Sequence, residues 1–352
     1  MKSNLNVALQ KGISGLSNLG NTCYINSCIQ ILSHTTELNE LLDDTTTIKR
    51  INKKIIDGVL LEEWNSLRNL MWSSNCVISP GRFFKMIQLT AKDKNMELFT
   101  GYSQNDINEF FMFILDSFHN ALSRSIKITI SGKIENNTDK LALSCYETIQ
   151  NNYKLGYSEI CELFNGISVS IISDFHSNQQ LNYKCETFFT LDLPIPKNRS
   201  PTLKDCFDLY TEEEEIVGDN AWFDENQNKK IDIKKKLLFW SFPKILVITL
   251  KRFTNVDKKI QKLVTFPLDE LDLSDYVVGY NKEKYNYELY GVCNHHGTFV
   301  GGGHYTSFIK ANNESSKAKW YEFNDASITA HSSDKKIVST KAYCLFYRRK
   351  IT

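Results

Sequence analysis

The first half of the chain carries apolar residues at the spacing of amphipathic helices. Apolar side chains recur every three to four positions from 48 to 71, which predicts one long helix or two in series. Ser79-Pro80 is typical of a helix start, and helical periods also follow 107–122 and 141–164. The polar stretch 131–140 predicts a loop. The amino-terminal half is therefore predicted to be mostly helical.

The second half changes to short runs of β-branched and aromatic residues, beginning at 167–172 and 181–189. The run 244–253 is apolar without alternation, as expected of a strand buried on both faces. Further predicted strands are Tyr287–Asn294, His304–Lys310, Trp320–Asn324 and Ala342–Arg349, with a charged loop at 311–319 between the middle two. The acidic run at 212–215 is typical of a solvated helix face. A helical half followed by a strand half predicts an α+β fold.

Composition narrows the function classes. The 352 residues include 42 lysines and arginines against 41 aspartates and glutamates, a balance that argues against nucleic-acid binding. No apolar run approaches the roughly 20 residues of a membrane span, and the polar start lacks the apolar core of a signal peptide. Nine scattered cysteines without a Cys-x-x-Cys pair argue against disulfides and thiolate zinc sites. We expect a cytoplasmic or nuclear protein that binds no membrane.

One cysteine, Cys23, lies at a position that favours nucleophilic reactivity. Glycines and asparagines precede Cys23, and apolar residues at helical spacing follow it, so Cys23 is predicted at a helix N-terminus. The helix dipole there favours an anion, and a thiolate is a nucleophile. A buried cysteine that only fills space is the alternative interpretation.

A base and an orienting group for such a nucleophile lie near the other end of the chain. His304 follows three glycines and opens a predicted strand, whereas His295 and His296 are predicted in a loop. Asn324 and Asp325 end the next strand, and antiparallel pairing would bring one of them beside the imidazole of His304. Cysteine, histidine and a polar third residue are the components of thiol-dependent acyl transfer.

These segments, in this order, resemble the ubiquitin-specific proteases, which are papain-like deubiquitinases. The matching stretches are the cysteine box Gly15–Ser27, the segment Gln104–Phe110, the strand Phe242–Phe253, and the histidine box formed by Gly303–Thr306 and Trp320–Asp325. The resemblance covers essentially residues 12–350. It implies an α+β papain-like fold with a helical thumb packed against a β-rich palm with β fingers. The implied divisions are an N-terminal extension 1–12 and one catalytic domain 13–352, comprising thumb 13–165, fingers 166–240 and palm 241–352, with fingers and palm partly interleaved.

The resemblance implies a role for each catalytic residue. Cys23 corresponds to the nucleophile, His304 to the general base and then acid, and Asn324 to the residue that orients His304. Asp325 is expected to share that last task. Asn18 matches the family residue that stabilises the oxyanion, although its spacing alone favours a turn residue.

The same resemblance implies a channel for the C-terminal tail of ubiquitin. Asp106 corresponds to a carboxylate that holds an arginine of the tail, and Gln104 and Glu109 line the channel. Tyr305 corresponds to the aromatic residue over the two glycines of the tail, and Gly303 belongs to a loop that moves when substrate binds. From the pattern alone, Asp106 is equally well explained as a helix cap, and the two roles are compatible.

The chain departs from the family at two places. Many members hold a zinc ion in the fingers with two Cys-x-x-Cys pairs, which are absent here, so we expect no metal and no cofactor. A makeshift site of Asp174, His176 and Asp224 is the alternative. Asn105 and Asn108 replace residues common in the family, which changes the expected detail of the tail channel.

The predicted function is hydrolysis of the isopeptide bond after the C-terminal glycine of ubiquitin, with ubiquitin and ubiquitinated proteins as partners. Two alternatives stay open, a protease for another ubiquitin-like modifier and a non-catalytic ubiquitin-binding scaffold. Monomer is the default oligomeric state, and the need for a protein activator is left open.

Overall fold

The computed structural model describes residues 11–197, 200–224, 228–253, 258–280, 282–299, 301–313 and 316–350. The chain forms two compact units. The first unit comprises Met1–Leu122, Asn255–Lys259 and Tyr290–Ile337, and the second comprises Ser123–Thr254, Ile260–Leu289 and Val338–Thr352. The predicted thumb, fingers and palm boundaries stay a prediction.

The elements alternate little between helix and strand in either half. Up to Leu122 they are β1 (Gly15–Leu16), α1 (Cys23–Ser33), α2 (Thr36–Asp43), α3 (Thr45–Arg50), α4 (Ile56–Ser73), β2 (Val77–Ile78), α5 (Gly81–Asp93) and α6 (Ile107–Leu122). Up to Ser241 they are α7 (Asn137–Leu155), α8 (Glu159–Phe164), β3 (Gly166–Asp174), β4 (Gln180–Phe188), β5 (Thr190–Leu193), α9 (Leu203–Tyr210), β6 (Glu214–Ile216), β7 (Trp222–Asp224), β8 (Lys229–Ile231) and β9 (Ile233–Ser241). The remaining strands are β10 (Ile245–Leu250), β11 (Leu271–Asp272), β12 (Asn286–Phe299), β13 (Gly302–Asn313), β14 (Ser316–Asn324), β15 (Ser327–His331) and β16 (Ala342–Arg349). Helices precede strands, so the predicted α+β class is confirmed.

The helical pattern over 48–71 belongs to two helices, α3 and α4. The helix is interrupted at residues 51–55, where the backbone N–H of Asn52 donates to the carbonyl of Ala121 at 2.9 Å. At Gly58 a Cβ atom would lie 1.9 Å from the carbonyl oxygen of Asn52. Only glycine at this position of α4 allows the backbone of Asn52 to come so close.

In other helices the capping residues determine where the helix begins more than the spacing of the apolar residues does. Helix α5 begins one residue later than Ser79-Pro80 suggests, because Pro80 itself takes the N-cap position. Helix α7 begins at Asn137, inside the predicted loop, because Asn136 and Asp139 form a reciprocal capping box. The helix predicted over 141–164 is two helices, separated after Leu155.

The acidic run at 212–215 is not a helix face. Its last two residues open strand β6, where Glu214 pairs with Lys235 and Glu215 with Lys234 of β9. Opposite charges on facing strands stabilise the pair modestly. The solvent exposure predicted for the run is correct, but the secondary structure is a strand.

Both units contain β-strands. In the first unit β12, β13, β14 and β15 are neighbours in that order and run antiparallel. In the second unit β10 lies between β16, which is antiparallel, and β5, which is parallel, and every residue of β10 is buried. This confirms the strand predicted for 244–253. A second sheet of this unit has the order β4-β3-β9-β6.

The strands of the first unit are longer than predicted. Strand β12 continues to Phe299, so His295 and His296 belong to a strand and not to a loop. Strands β13 and β14 likewise extend into the predicted loop 311–319, where Ala311 pairs with Lys319. Antiparallel pairing lengthens both strands beyond what the local sequence indicates.

Two structural features that would indicate other functions are absent from the described residues. Among the described residues, no helix combines the length and the hydrophobicity needed to cross a bilayer. In the same part of the chain, no group of three or more His, Cys, Asp or Glu side chains is arranged to hold a metal ion.

Candidate active site

A tight turn places Cys23 at the start of α1. The side-chain oxygen of Asn18 accepts hydrogen bonds from the backbone N–H groups of Gly20 at 3.0 Å and Thr22 at 3.2 Å. Gly20 and Asn21 take left-handed conformations, with φ of 107° and 53°. Helix α1 has no side-chain N-cap, so its first backbone N–H groups stay available next to Cys23, which is 3% exposed.

His304 lies on β13 and makes hydrogen bonds to Cys23 and Asn324. Its Nε2 atom lies 2.7 Å from Oδ1 of Asn324. An amide oxygen can only accept a hydrogen bond, so Nε2 carries a proton. The other ring nitrogen, Nδ1, is then the one left to interact with Cys23. The hydrogen bond to Cys23 raises the pKa of His304 to about 9, with further contributions from Asn324 and the charge of Asp325, while burial acts in the opposite direction. The three residues can therefore hold an imidazolium beside a sulfur nucleophile.

Asn324 ends β14, and Asp325 forms the turn to β15 with φ of 50°. Asparagine and aspartate are the residues that best tolerate this left-handed conformation. The backbone oxygen of Asp325 accepts from the N–H of Leu16 at 2.9 Å, which ties the turn to β1. A Cβ at Gly15 would lie 2.4 Å from the carbonyl oxygen of Ala326, so the small residue at the start of the cysteine box permits this contact.

The carboxylate of Asp325 joins the turn to the residues around Cys23. Its Oδ2 accepts from Nδ2 of Asn18 at 3.0 Å, and its Oδ1 accepts from Nδ2 of Asn26 at 2.7 Å. The hydrogen bonds of the carboxylate thus go to two amides, and its influence on His304 is electrostatic. Sharing of the orienting task by Asp325 stays a prediction.

Asn18 lies at the turn before Cys23, where both ends of its side-chain amide make hydrogen bonds. Its oxygen organises the turn, and its NH₂ group is held by Asp325 with a second N–H hydrogen left over. The turn role is therefore observed. The oxyanion role stays a prediction, supported by an amide that is fixed beside the helix start.

The predicted tail-channel residues Gln104 and Gly303 are in contact. The side-chain oxygen of Gln104 accepts from the backbone N–H of Gly303 at 3.0 Å. Gly303 has φ of 149°, and a Cβ there would lie 2.3 Å from the backbone oxygen of His296. The position therefore requires glycine.

Asp106 acts as a cap for α6. Its Oδ1 accepts from the backbone N–H of Asn108 at 2.7 Å, and its backbone oxygen accepts from Phe110. Burial and the neighbouring charge of Asp106 raise the pKa of Glu109. Two carboxylates close together on one helix start form a negative site that suits a cationic side chain, and tail binding by both stays a prediction.

Tyr305 is fully buried and packs edge-on against His295, with ring centroids 4.8 Å apart. The ammonium of Lys259 donates to the backbone oxygen of His295 and lies 3.2 Å from its Nδ1. Burial, then Lys259, then His296 lower the pKa of His295 to about 4. The ring next to Tyr305 is thus neutral at physiological pH.

Sequence reasoning missed several residues that position the site. Asn26 lies within the cysteine box, and its place on α1 one turn after Cys23 could have indicated it. Asn105 is buried and donates to the hydroxyl of Tyr24 and to two backbone carbonyls, so its departure from the family pattern has a local explanation. Lys259 lies in an irregular segment far from His295 in the chain, and no local signal identifies it.

The alternative metal site is not assembled among the described residues. Asp174 caps a turn by accepting from the backbone N–H groups of His176 and Ser177. Asp224 ends β7 in a separate two-stranded sheet. The expectation of a chain without metal stays a prediction.

Comparisons with known proteins identify the family and the fold of this chain. The family model described as ubiquitin carboxyl-terminal hydrolase matches residues 14–347. The chain is 33% identical to ubiquitin carboxyl-terminal hydrolase 2 of Bos taurus over 359 residues, covering 98% of this chain and 56% of that protein. It is 34% identical to the protein of the same name from Gallus gallus, covering 96% of this chain and 93% of that protein.

Among solved structures, the SAGA DUB module of Ubp8, Sgf11, Sus1 and Sgf73 bound to monoubiquitin matches with a TM-score of 0.74 at 23% identity, covering 97% of this chain and 70% of that chain. This likeness confirms the predicted fold. The chain spans about half the length of the first mammalian relative it matches. A family model that matches nearly the whole chain confirms the resemblance drawn from the motifs, and the chain belongs to the ubiquitin carboxyl-terminal hydrolase family.

Proposed function

We propose that this chain is a cysteine-type deubiquitinase, which hydrolyses the isopeptide bond after the C-terminal glycine of ubiquitin. The observation that carries the proposal is the position of His304, hydrogen-bonded to Cys23 on one side and to Asn324 on the other. Membership of the family supplies the substrate class.

In the first step, the thiolate of Cys23 attacks the carbonyl carbon of the terminal glycine. The oxyanion that forms is stabilised by the backbone N–H groups at the start of α1 and by the amide of Asn18, and one such donor typically lowers the barrier by about 2.7–4 kcal/mol. His304 gives its proton to the leaving lysine amine, and a thioester forms between Cys23 and the glycine.

In the second step, His304 removes a proton from water, and the resulting hydroxide attacks the thioester. Collapse of the second tetrahedral intermediate releases the ubiquitin carboxylate and restores Cys23. Asn324 keeps one tautomer of His304 through both steps, and Asp325 holds Asn18 in place.

The test is labelling of the purified chain with a ubiquitin probe that carries a C-terminal electrophile, together with turnover of a fluorogenic ubiquitin substrate. We expect one covalent adduct on the unmodified chain and none on Cys23→Ala. Cys76→Ala is the matched control, because Cys76 is an exposed cysteine outside the site, and this variant should label normally.

Other outcomes would contradict the proposal in different ways. Equal labelling of Cys23→Ala would exclude Cys23 as the nucleophile. Labelling by a probe of another ubiquitin-like modifier in preference to ubiquitin would move the activity to that modifier. Stable ubiquitin binding without turnover would favour a scaffold, and turnover that appears only in the presence of a second protein would show a requirement for an activator.

A further inference from the structure

Two cysteines of the second unit are in direct contact outside the candidate active site. The Sγ atoms of Cys145 on α7 and Cys185 on β4 are 3.3 Å apart, although 40 residues separate them in the chain. Formation of a disulfide would bring the two sulfurs closer by about 1.3 Å, given the usual S–S bond length.

The two thiols differ in their exposure to solvent. Cys145 is fully buried in an apolar cluster with Ala142 and Val169, whereas Cys185 is partly exposed on β4, the edge strand of its sheet. An oxidant in solution therefore reaches Cys185 first. Cys145 is held behind it at contact distance.

The hydrogen bonds favour Cys185 as the reactive member of the pair. The contact with Cys145, together with the hydroxyl of Ser144 at 3.5 Å, lowers the pKa of Cys185 to about 7, while the pKa of Cys145 is raised. A thiolate on Cys185 would accept from the S–H of Cys145 and the O–H of Ser144. A partly exposed thiolate with a second thiol beside it is typical of redox-sensitive cysteines.

A metal site does not account for the pair, since no third ligand completes a metal-binding group among the residues that the structure describes. We propose that Cys145 and Cys185 are a reversible thiol–disulfide pair, oxidised by hydrogen peroxide independently of Cys23.

The proposed reaction balances as a two-electron oxidation. The thiolate of Cys185 attacks one oxygen of hydrogen peroxide, forming a sulfenic acid and releasing hydroxide. The sulfur of Cys145 then attacks the sulfenic sulfur, the S–S bond forms, and the sulfenic oxygen leaves as water. In total, two thiols and one peroxide give one disulfide and two waters, and a dithiol reductant reverses the change.

The disulfide would tie α7 to the edge strand β4. It closes a segment of the chain that also contains α8 and β3, and closing a loop of this length restricts the unfolded chain. Oxidation is therefore expected to stabilise this unit.

The experiment uses the full chain carrying Cys23→Ser, so that the catalytic thiol cannot react. The chain is treated with hydrogen peroxide, its free thiols are alkylated, and it is digested without reductant for mass spectrometry. We expect a linked peptide containing Cys145 and Cys185 as the main product. The melting temperature should rise by several degrees and return after treatment with dithiothreitol.

Variants separate the two cysteines. With Cys145→Ser, Cys185 should stop at the sulfenic acid and be trapped by dimedone, without a rise in melting temperature. Cys161→Ser, which alters another buried cysteine of the same unit, should keep the linked peptide. Absence of the Cys145–Cys185 linkage at peroxide concentrations that oxidise Cys185, or linkages spread evenly over other cysteines, would overturn the proposal. Either result is independent of whether the chain hydrolyses ubiquitin conjugates.

Discussion

His304 Nε2 and Asn324 Oδ1 are 2.7 Å apart, and this contact fixes which nitrogen of the imidazole faces Cys23. Asn324 ends β14 and His304 is the third residue of the neighbouring strand β13, so the distance depends on the pairing of these two strands.

Replacement of Asn324 by alanine removes the acceptor that holds the ring of His304. We expect kcat to fall on the order of 10²-fold with little change in KM, because the ring loses its orientation while the binding surface stays intact. Asn324→Asp keeps an acceptor oxygen and should retain most of the activity. Steady-state kinetics on a ubiquitin substrate measure both, and a fully active alanine variant would contradict the role of Asn324.

The raised pKa of His304 predicts a specific pH dependence. The ring stays protonated until the pH rises through about 9, so protonation of the leaving amine should fail above that pH. The pKa in the unfolded chain is about 6.5, so the stabilisation from this proton is complete below that value and is lost as the pH rises through 9. Since the hydrogen bond to Cys23 is the largest cause, Cys23→Ala should lower the pKa of His304 in an NMR titration. An unchanged titration would contradict the contact.

Asp325 offers a test of the link between the turn and the cysteine box. Asp325→Asn keeps a residue that tolerates φ of 50°, but leaves one oxygen to accept from Asn18 and Asn26. We expect turnover to fall by about 10–10³-fold, as for loss of an oxyanion donor. Asp334→Asn, an exposed aspartate of the same unit, is the control. Equal activity of both variants would show that Asn18 does not need Asp325 to hold it in place.

Gly303 and Gly301 form a matched pair for the predicted tail channel. At Gly303 a Cβ would lie 2.3 Å from the oxygen of His296 and 2.8 Å from Nε2 of His295, whereas at Gly301 it would meet nothing within 4 Å. Gly303→Ala should therefore displace the backbone N–H that Gln104 accepts from, and lower kcat/KM by at least about tenfold. The kcat/KM of Gly301→Ala should be close to that of the unmodified chain. Labelling rates with the ubiquitin probe compare the two, and similar rates would argue against a fixed position for Gly303.

His295 predicts a loss of stability in acid. Its pKa is about 4 in the folded chain against about 6.5 unfolded, so its contribution to the free energy of unfolding is present above pH 6.5 and is lost as the pH falls through 4. His295→Gln should flatten the decline in melting temperature between pH 6.5 and 4. His176→Gln, at an exposed turn, should keep it. A decline of equal steepness in both variants would assign the acid sensitivity to other groups.

The features that depend on local pattern could be predicted from the amino-acid sequence. The glycines and asparagines before Cys23 indicated a turn into a helix, the unbroken apolar run indicated the buried strand β10, and the motifs indicated the family. These features are local because helix period, strand burial and turn chemistry are set by neighbouring residues. Helix α1 begins at Cys23 as expected.

Contacts between side chains that are far apart in the chain could not be predicted in this way. Either Asn324 or Asp325 was expected beside His304; Asn324 takes that place, and the carboxylate of Asp325 bonds to Asn18 and Asn26, about 300 residues away in the chain. The contact of Lys259 with His295 and that of Cys145 with Cys185 also depend on long-range packing. Such contacts follow from strand register and helix docking, which hydrophobic periodicity specifies for a face of an element but not for the partner of an individual atom.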